Sequence, residues 1–273
     1  MICTAVCKRR MIPNIDASAI SHHRGRRMDK EVDTIRTLLA KAFERVVCVN
    51  LKRRADRWES FLSQMESISY AFGPVIRFNA IDGNRVPAPD WYRVGEASYA
   101  WCCLVSHLRI WETALNDGVI SLLILEDDAV FCDDFCKRAA TFMENVPKDW
   151  DQLYFGGHHV PDSIPLRVNE HVYRPEATWR THAYAIRGEF IKRLYSHVIA
   201  FNSEGRFPNP GAYHVDHQLA ALMRDPSVHV YCPGQWLVGQ RSDFSEVAQA
   251  VRHQGVEYYN EINPISKGLF RLP

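Results

Sequence analysis

The sequence predicts an α/β protein folded as a three-layer domain around a mainly parallel central sheet. Two patterns indicate this class: short β-branched apolar runs that suit strands buried on both faces, and longer segments whose apolar residues recur at helical spacing. The two kinds of segment alternate along the chain, which is typical of a sheet covered by helices. With 273 residues, of which 47% are hydrophobic, the chain can bury such a core.

The alternation begins at residue 29. Residues 29–43 predict an amphipathic helix, and residues 46–51 predict the first buried strand. A basic loop and a helix reaching about residue 66 follow that strand, which makes a β-loop-α unit. The same criteria predict strands at 75–80, 120–125 and 152–155, helices at 98–116, 134–145 and 188–200, and a turn at 156–157. Residues 29–273 are therefore expected to form one domain.

The charge balance and the cysteines exclude several classes of protein. Lys plus Arg number 33 and Asp plus Glu 32, so the chain lacks the global positive field of a dedicated nucleic-acid binder. The eight cysteines follow no disulfide-scaffold spacing and are interpreted as reduced thiols. No apolar run reaches the roughly 18 residues of a membrane span. We therefore expect no transmembrane segment and a cytoplasmic location.

The first 28 residues are basic and have no periodic apolar face. This composition indicates a disordered tail. The alternative is that the segment contacts anionic lipid, which would make the protein peripheral to a membrane.

Three adjacent carboxylates, Glu126, Asp127 and Asp128, directly follow the apolar run 121–125. Their mutual repulsion is costly unless a cation or strong donors compensate. Oxygen ligands suit Mg²⁺ or Mn²⁺, which bind few protein carboxylates and complete their shell with water and substrate phosphates. The alternative is a helix N-cap cluster, since Asp133 and Asp134 just beyond resemble caps.

Two further polar segments are candidates for a site. The loop after the first strand supplies Arg53, Arg54 and Arg57, whose guanidinium groups suit a diphosphate or a base, or else form a solvated helix start. Asp216 precedes the apolar run 219–223 and is interpreted either as an N-cap or as a general base. In an open α/β sheet, ligands gather at the carboxyl ends of the strands. The acidic triplet and the arginine loop are both predicted at such ends.

Several motifs in order, covering about residues 45–245, carry a resemblance to a known family. They are Val49-Asn50-Leu51 with Arg54, Asp56 and Arg57; Ala80-Ile81-Asp82-Gly83; Gly95-Glu96; Ser106-His107 with Trp111; Leu125-Glu126-Asp127-Asp128; residues 150–156; residues 183–186; Val215-Asp216; and Pro233-Gly234-Gln235 with Gln240, Ser242 and Asp243. This order resembles the signature of glycosyltransferase family 25, which contains lipopolysaccharide galactosyltransferases and procollagen hydroxylysine galactosyltransferases.

The resemblance implies a GT-A-like fold, a UDP-sugar donor, Mn²⁺ (or Mg²⁺) bridging the acidic motif and the diphosphate, and transfer with inversion. It implies metal ligands at Asp128 and Glu126, with Asp127 turned inward to support the loop. An inverting displacement needs a base opposite the diphosphate, for which Asp216 is the candidate. The residues expected at the donor or cofactor are Asn50, Leu51, Arg54, Arg57, Asp82, Ser106, His107, Glu126 and Asp127.

The expected sugar is galactose, with another hexose or xylose as alternatives. The expected acceptor is a hydroxyl of a glycan, a lipopolysaccharide or a protein. Two other functions stay open at this stage: another metal-dependent enzyme that uses nucleotides, and a non-catalytic carbohydrate-binding protein on the same fold.

Overall fold

The structure is a computed structural model. It describes residues 34–35, 37–88, 97–160, 163–203, 214–241, 244–245 and 250–251. The basic segment 1–28 lies outside these ranges, as do Gly95, Glu96, Ser242 and Asp243. None of the helices in this part of the chain combines the length and the apolar character that a membrane crossing requires.

Within the described residues, twelve strands and five helices follow a helical segment that lies within residues 34–40. The strands are β1 (Arg45–Leu51), β2 (Ile76–Ala80), β3 (Ser121–Glu126), β4 (Ala129–Phe131), β5 (Gln152–His159), β6 (Leu166–Arg167), β7 (Val172–Arg174), β8 (Thr178–Arg187), β9 (Val230–Pro233), β10 (Val238–Gln240), β11 (Phe244–Ser245) and β12 (Ala250–Val251). The helices are α1 (Ala55–Ser67), α2 (Ala97–Asn116), α3 (Phe135–Asn145), α4 (Glu189–Ser203) and α5 (Val215–Met223).

Eight strands form the central sheet, in the order β2-β1-β3-β8-β5-β9-β7-β6. β1 pairs in parallel with β2 and β3, and β5 pairs in parallel with β9. β8 and β7 run antiparallel to their neighbours, so the other six of the eight strands point in one direction. The predicted α/β class with a mainly parallel sheet is confirmed, although the sheet is mixed because β8 runs antiparallel through its middle.

Both faces of the sheet are covered, which accounts for three layers. Along β3, Leu123 and Leu125 belong to one apolar cluster, together with Phe61 of α1. Leu122 and Ile124 belong to the other cluster, together with residues of α2, α4 and α5. Because successive strand residues point to opposite faces, a strand covered on both sides must be apolar throughout, as the run 121–125 is.

The predicted turn at residues 156–157 is wrong. β5 continues through Gly156 and Gly157, with register shifts against β8 on either side of Gly156. A Cβ at Gly156 would lie 2.2 Å from the backbone oxygen of Val238 and 2.3 Å from Nε2 of His182. The glycine therefore permits close approach of neighbouring backbone within a strand and does not mark a turn. The strands of two to four residues, β4, β6, β7, β9, β10, β11 and β12, carry too little periodicity to be predicted.

The cysteine prediction is confirmed where the structure describes these residues. The six described cysteines, Cys48, Cys102, Cys103, Cys132, Cys136 and Cys232, are all free.

Candidate active site

The acidic triplet lies in a tight connection between two strands. Strand β3 ends at Glu126. The next two residues, Asp127 and Asp128, form the turn, and β4 begins at Ala129. The triplet leads into a strand, so the predicted alternative of a helix N-cap cluster is wrong. Asp134 does occupy the N-cap position of α3, but with φ 56° and no side-chain capping bond.

A cavity of about 340 Å³ opens beside this turn, at the carboxyl ends of the three parallel strands β2, β1 and β3. Of the residues predicted at the donor, metal or base positions, the cavity is lined by Leu51, Arg57, Ser106, His107, Glu126, Asp127, Asp128 and Asp216. The tertiary structure therefore brings together residues that are up to 165 positions apart in the chain (216 − 51). This location agrees with the general position of ligand sites in open α/β sheets.

Asp127 is buried and bonded by the protein itself. Its Oδ2 accepts a hydrogen bond of 2.5 Å from Nδ2 of Asn50, and its Oδ1 accepts one of 3.2 Å from Nη1 of Arg57. Nε of Arg77 in turn donates to Oδ1 of Asn50 at 2.9 Å. Burial raises the pKa of the Asp127 carboxyl, and the adjacent Arg57 guanidinium opposes that rise. Asp127 and Asn50 thus join the acidic turn to β1, and Asn50 is not among the cavity-lining residues.

Asp128 has one bonded and one unbonded carboxylate oxygen. Its Oδ2 accepts a hydrogen bond of 3.1 Å from Nε2 of Gln240, whereas its Oδ1 is buried with no hydrogen-bond partner. Burial, with repulsion from Asp127, raises the pKa of Asp128 to about 6. Unpartnered buried polar atoms are rare, because each costs about 1–3 kcal/mol, so this oxygen points to a ligand.

Glu126 accepts a hydrogen bond of 2.5 Å from the hydroxyl of Thr181. Burial, with repulsion from Asp128, raises the pKa of Glu126 to about 8. The protein therefore leaves the negative charge of this turn under-compensated.

The described residues contain no group of three or more His, Cys, Asp or Glu side chains arranged as a complete metal site. The residues present still fit a hard divalent cation, because two carboxylates, one of them with an unpartnered oxygen, supply the donors that such a cation prefers. Its remaining ligands would be water and substrate phosphates.

Nε2 of His107 is buried and faces Glu126. Nε1 of Trp111 donates to the hydroxyl of Tyr184 at 3.1 Å, and that hydroxyl lies 2.8 Å from Nδ1 of His107. Burial lowers the pKa of His107 to about 3, so the ring is neutral. Its Nε2 lies 4.0 Å from Oε1 of Glu126 and has no hydrogen-bond partner.

Asp216 is not the N-cap of α5, a position that His214 occupies. The carboxylate lines the cavity and accepts two backbone N–H groups, from Arg180 at 2.9 Å and from His217 at 2.9 Å. The interpretation of Asp216 as an N-cap is therefore wrong, because this residue lies inside the first turn of the helix. Its role as a base stays a prediction. The two bonds fix the orientation of this carboxylate at the cavity wall.

Three other predicted residues have structural partners of their own. Arg54 forms an ion pair of 2.8 Å with the exposed Asp56 and does not line the cavity. Asp82 pairs with Arg53 at 3.1 Å and is likewise absent from the cavity wall. Ser106 accepts a bond from the backbone N–H of Ile81 at 2.9 Å and donates to its own helix at 2.6 Å, so it holds the end of β2 against α2.

Arg180 and Thr181, which are adjacent in β8 and line the cavity, are among the residues that sequence reasoning missed. No motif marks them, because they reach the site only through the antiparallel placement of β8 beside β3.

The chain was compared with known proteins. Residues 43–200, more than half of its length, match the family described as "Glycosyltransferase family 25 (LPS biosynthesis protein)". The chain belongs to glycosyltransferase family 25. Family 25 is also the family that the sequence resemblance indicates, and its members are assigned to the glycosyltransferase class of enzymes.

Relatives in family 25 are distant. Over 176 residues, the chain is 25% identical to "Procollagen lysyl hydroxylase and glycosyltransferase" of Acanthamoeba polyphaga mimivirus, covering 55% of this chain and 19% of the relative. Over 160 residues, it is 29% identical to "Procollagen galactosyltransferase 1" of Danio rerio, covering 50% and 26%. Over 136 residues, it is 28% identical to "Inactive glycosyltransferase 25 family member 3" of Homo sapiens, covering 43% and 22%. The match thus spans about a fifth to a quarter of each relative.

Among solved structures, a glycosyltransferase involved in glycosylation of the major capsid of PBCV-1 has a TM-score of 0.37 and 10% identity, covering 68% of this chain and 79% of that one. Because this score is low, the fold description rests on the strand order and layers given above.

Proposed function

We propose that this protein transfers a sugar from a UDP-sugar to an acceptor hydroxyl, with a divalent cation and with inversion at the anomeric carbon. The observation that carries the proposal is the unpartnered Oδ1 of Asp128, in an under-compensated acidic turn beside a cavity at the carboxyl ends of parallel strands. A cation with a diphosphate would satisfy that oxygen and neutralise the turn.

The donor end of the cavity is assigned to the wall formed by Leu51 and Arg57. Arg57 is largely buried, and its Nη1 lies 3.2 Å from Asp127 and 3.9 Å from Asp128. A guanidinium at this place can hold the acidic turn and face a phosphate of the donor. Arg54 contributes less directly, because its guanidinium pairs with Asp56 away from the cavity.

Asp128 and Glu126 would hold the cation, which when bound neutralises the charge that develops on the departing diphosphate. Asp127 does not share this task, because Asn50 and Arg57 already occupy its two oxygens. Its task is to hold the turn in place. Thr181 orients Glu126 from the protein side through its hydroxyl.

Asp216 is proposed as the base. In a single displacement, the acceptor oxygen bonds to the anomeric carbon while the bond from that carbon to the diphosphate breaks, and the acceptor proton passes to Asp216. The two backbone N–H groups on Asp216 keep it oriented for that transfer. UDP and a glycoside of inverted configuration are the products.

Galactose is the proposed sugar, supported by the names of relatives such as procollagen galactosyltransferase 1. The proposed acceptors are hydroxyls of a protein, a glycan or a lipopolysaccharide, in keeping with the relatives' names and the family's description. The proposed location is the cytoplasm.

The test measures UDP release by the purified chain with UDP-galactose, UDP-glucose and UDP-xylose, with Mn²⁺ and after chelation. We expect release that requires Mn²⁺ and disappears in the Asp128→Asn variant. Release of pyrophosphate or phosphate in place of UDP would indicate a different nucleotide-using enzyme. Absence of turnover with all three donors would overturn the proposal and favour the non-catalytic alternative, for which the inactive human relative is a precedent.

A further inference from the structure

Arg180 has a backbone conformation that residues other than glycine rarely adopt. Its φ is 73°, in the left-handed region, although it lies within β8. A non-glycine residue in this region is strained and persists only when its surroundings hold it there. The contacts of Arg180 should therefore show what holds it there.

Those contacts reach two carboxylates of the site. The backbone N–H of Arg180 donates to Oδ2 of Asp216 at 2.9 Å. Its Nη1 donates to Oε1 of Gln240 at 2.8 Å, and Nε2 of Gln240 donates to Oδ2 of Asp128 at 3.1 Å. One strained residue thus bonds directly to the proposed base and, through one amide, to the proposed metal ligand.

The chemistry of the guanidinium decides which way the Gln240 amide faces. Arginine can only donate hydrogen bonds, so the amide oxygen must face Arg180 and the amide NH₂ must face Asp128. Without the guanidinium, the amide oxygen loses its donor, and only Asp128 is left to hold the amide in place. Arg180 therefore fixes the position of the amide that donates to Asp128.

We propose that Arg180 is a positioning residue that holds Asp128 and Asp216 in a set relation across the cavity, acting on Asp128 through Gln240. This inference rests on the proposed function for its effect on transfer. The contacts themselves do not depend on that function. The neighbouring Thr181 bonds to Glu126. Two consecutive residues of β8 are therefore linked to all three carboxylates proposed to act in the reaction, directly to Glu126 and Asp216 and through Gln240 to Asp128.

The test is a double-mutant cycle of Arg180→Gly, Gln240→Ala and the double variant. Glycine retains the backbone N–H that bonds to Asp216, relieves the strain of the left-handed backbone and removes the side chain with its guanidinium. We expect each single variant to lower kcat/KM for the donor about 10- to 100-fold, with the double variant no worse than the singles. Arg180→Lys should regain little, because an ammonium lacks the rigid planar geometry of the guanidinium.

Stability gives a second measurement that needs no turnover. Arg180→Gly should unfold at the same urea concentration as the parent or a higher one, since relief of strain offsets the lost bond. The urea midpoints of the cycle should also be non-additive, because the two side chains are in contact. Additive losses in kcat/KM, with Arg180→Gly far worse than Gln240→Ala, would overturn the inference in favour of direct donor contact. If the parent protein releases no UDP, the proposed function fails, and additive urea midpoints would then refute the Arg180 link separately.

Discussion

Nδ2 of Asn50 lies 2.5 Å from Oδ2 of Asp127, although the two residues are 77 positions apart in the chain. Asn50 is the second-last residue of strand β1 and is 1% exposed, and Asp127 directly follows the end of β3. The bond locks together the ends of two adjacent parallel strands, directly under the cavity. The position of Asp128 therefore depends on a residue that does not line the cavity.

Replacing Asn50 should destabilise the protein. Asn50→Leu leaves the buried Asp127 without its shortest hydrogen bond, and we expect a loss of about 1–3 kcal/mol in the free energy of unfolding. Asn79 pairs with Asn50 in the register of β2 but is exposed, so Asn79→Ala is the matched control and should cost little. Urea unfolding of the three proteins measures both effects. Equal losses in the two variants would contradict the role given to the bond.

Asp128→Asn should abolish transfer and Mn²⁺-enhanced UDP binding while leaving the fold intact. Without metal, its melting temperature should equal or exceed that of the parent, because a buried charge that its neighbours repel is removed. The control is Asp133→Asn, which changes an exposed carboxylate nearby and should alter neither property. A large fall in melting temperature with unchanged UDP affinity would show that Asp128 is structural.

The difference in stability between Asp128→Asn and the metal-free parent should narrow as the pH falls from about 8 towards 5. The folded-state pKa values of Glu126 and Asp128, about 8 and about 6, lie above their ordinary values, so these two groups bind more protons in the folded state and stabilise it less as the pH rises, by linkage. Burial lowers the pKa of His107, His159 and His182 to about 3, which has the opposite effect in both proteins, so the comparison with the variant isolates the carboxylate. Melting temperatures of both proteins at several pH values, with chelator present, test this, and a difference that widens towards pH 5 would contradict it.

Arg57→Ala and Arg54→Ala should have different effects on the Michaelis constant for the donor. Arg57 lines the cavity and bonds to Asp127, so its loss should raise the donor Michaelis constant about tenfold or more, as expected for a charge-assisted contact. Arg54 pairs with the exposed Asp56, so its loss should change the donor Michaelis constant little. Steady-state kinetics on the two variants decide the matter, and equal effects would refute the assignment of Arg57 alone to the donor wall.

Asp216→Asn should lower turnover by about 10²–10⁴-fold, the range typical of general-base catalysis, while donor and Mn²⁺ binding stay near normal. The amide retains one oxygen for the backbone N–H groups, so the structural cost should be only about 1 kcal/mol. Turnover and donor affinity are measured on the folded variant. Near-normal turnover would rule out the base role, and a product that retains the donor's configuration would remove the need for a base.

The sequence by itself determined the layers of this protein and pointed to the acidic turn of its candidate site. Apolar periodicity is a local property, so runs such as 121–125 disclose a strand buried on both faces without any knowledge of its neighbours. The acidic triplet after that strand can also be recognised from the local sequence, because three adjacent carboxylates repel each other and need a cation or strong donors wherever they lie.

Only the tertiary structure decided which residues meet at the cavity. The contacts of Asp127 with Asn50, of Asp216 with Arg180 and of Asp128 with Gln240 span 77, 36 and 112 positions. They depend on the strand order, on the antiparallel β8 and on β10, whose three residues carry no periodic signal. Strand pairing between distant segments is set by the packing of the whole domain, and local sequence patterns do not encode it.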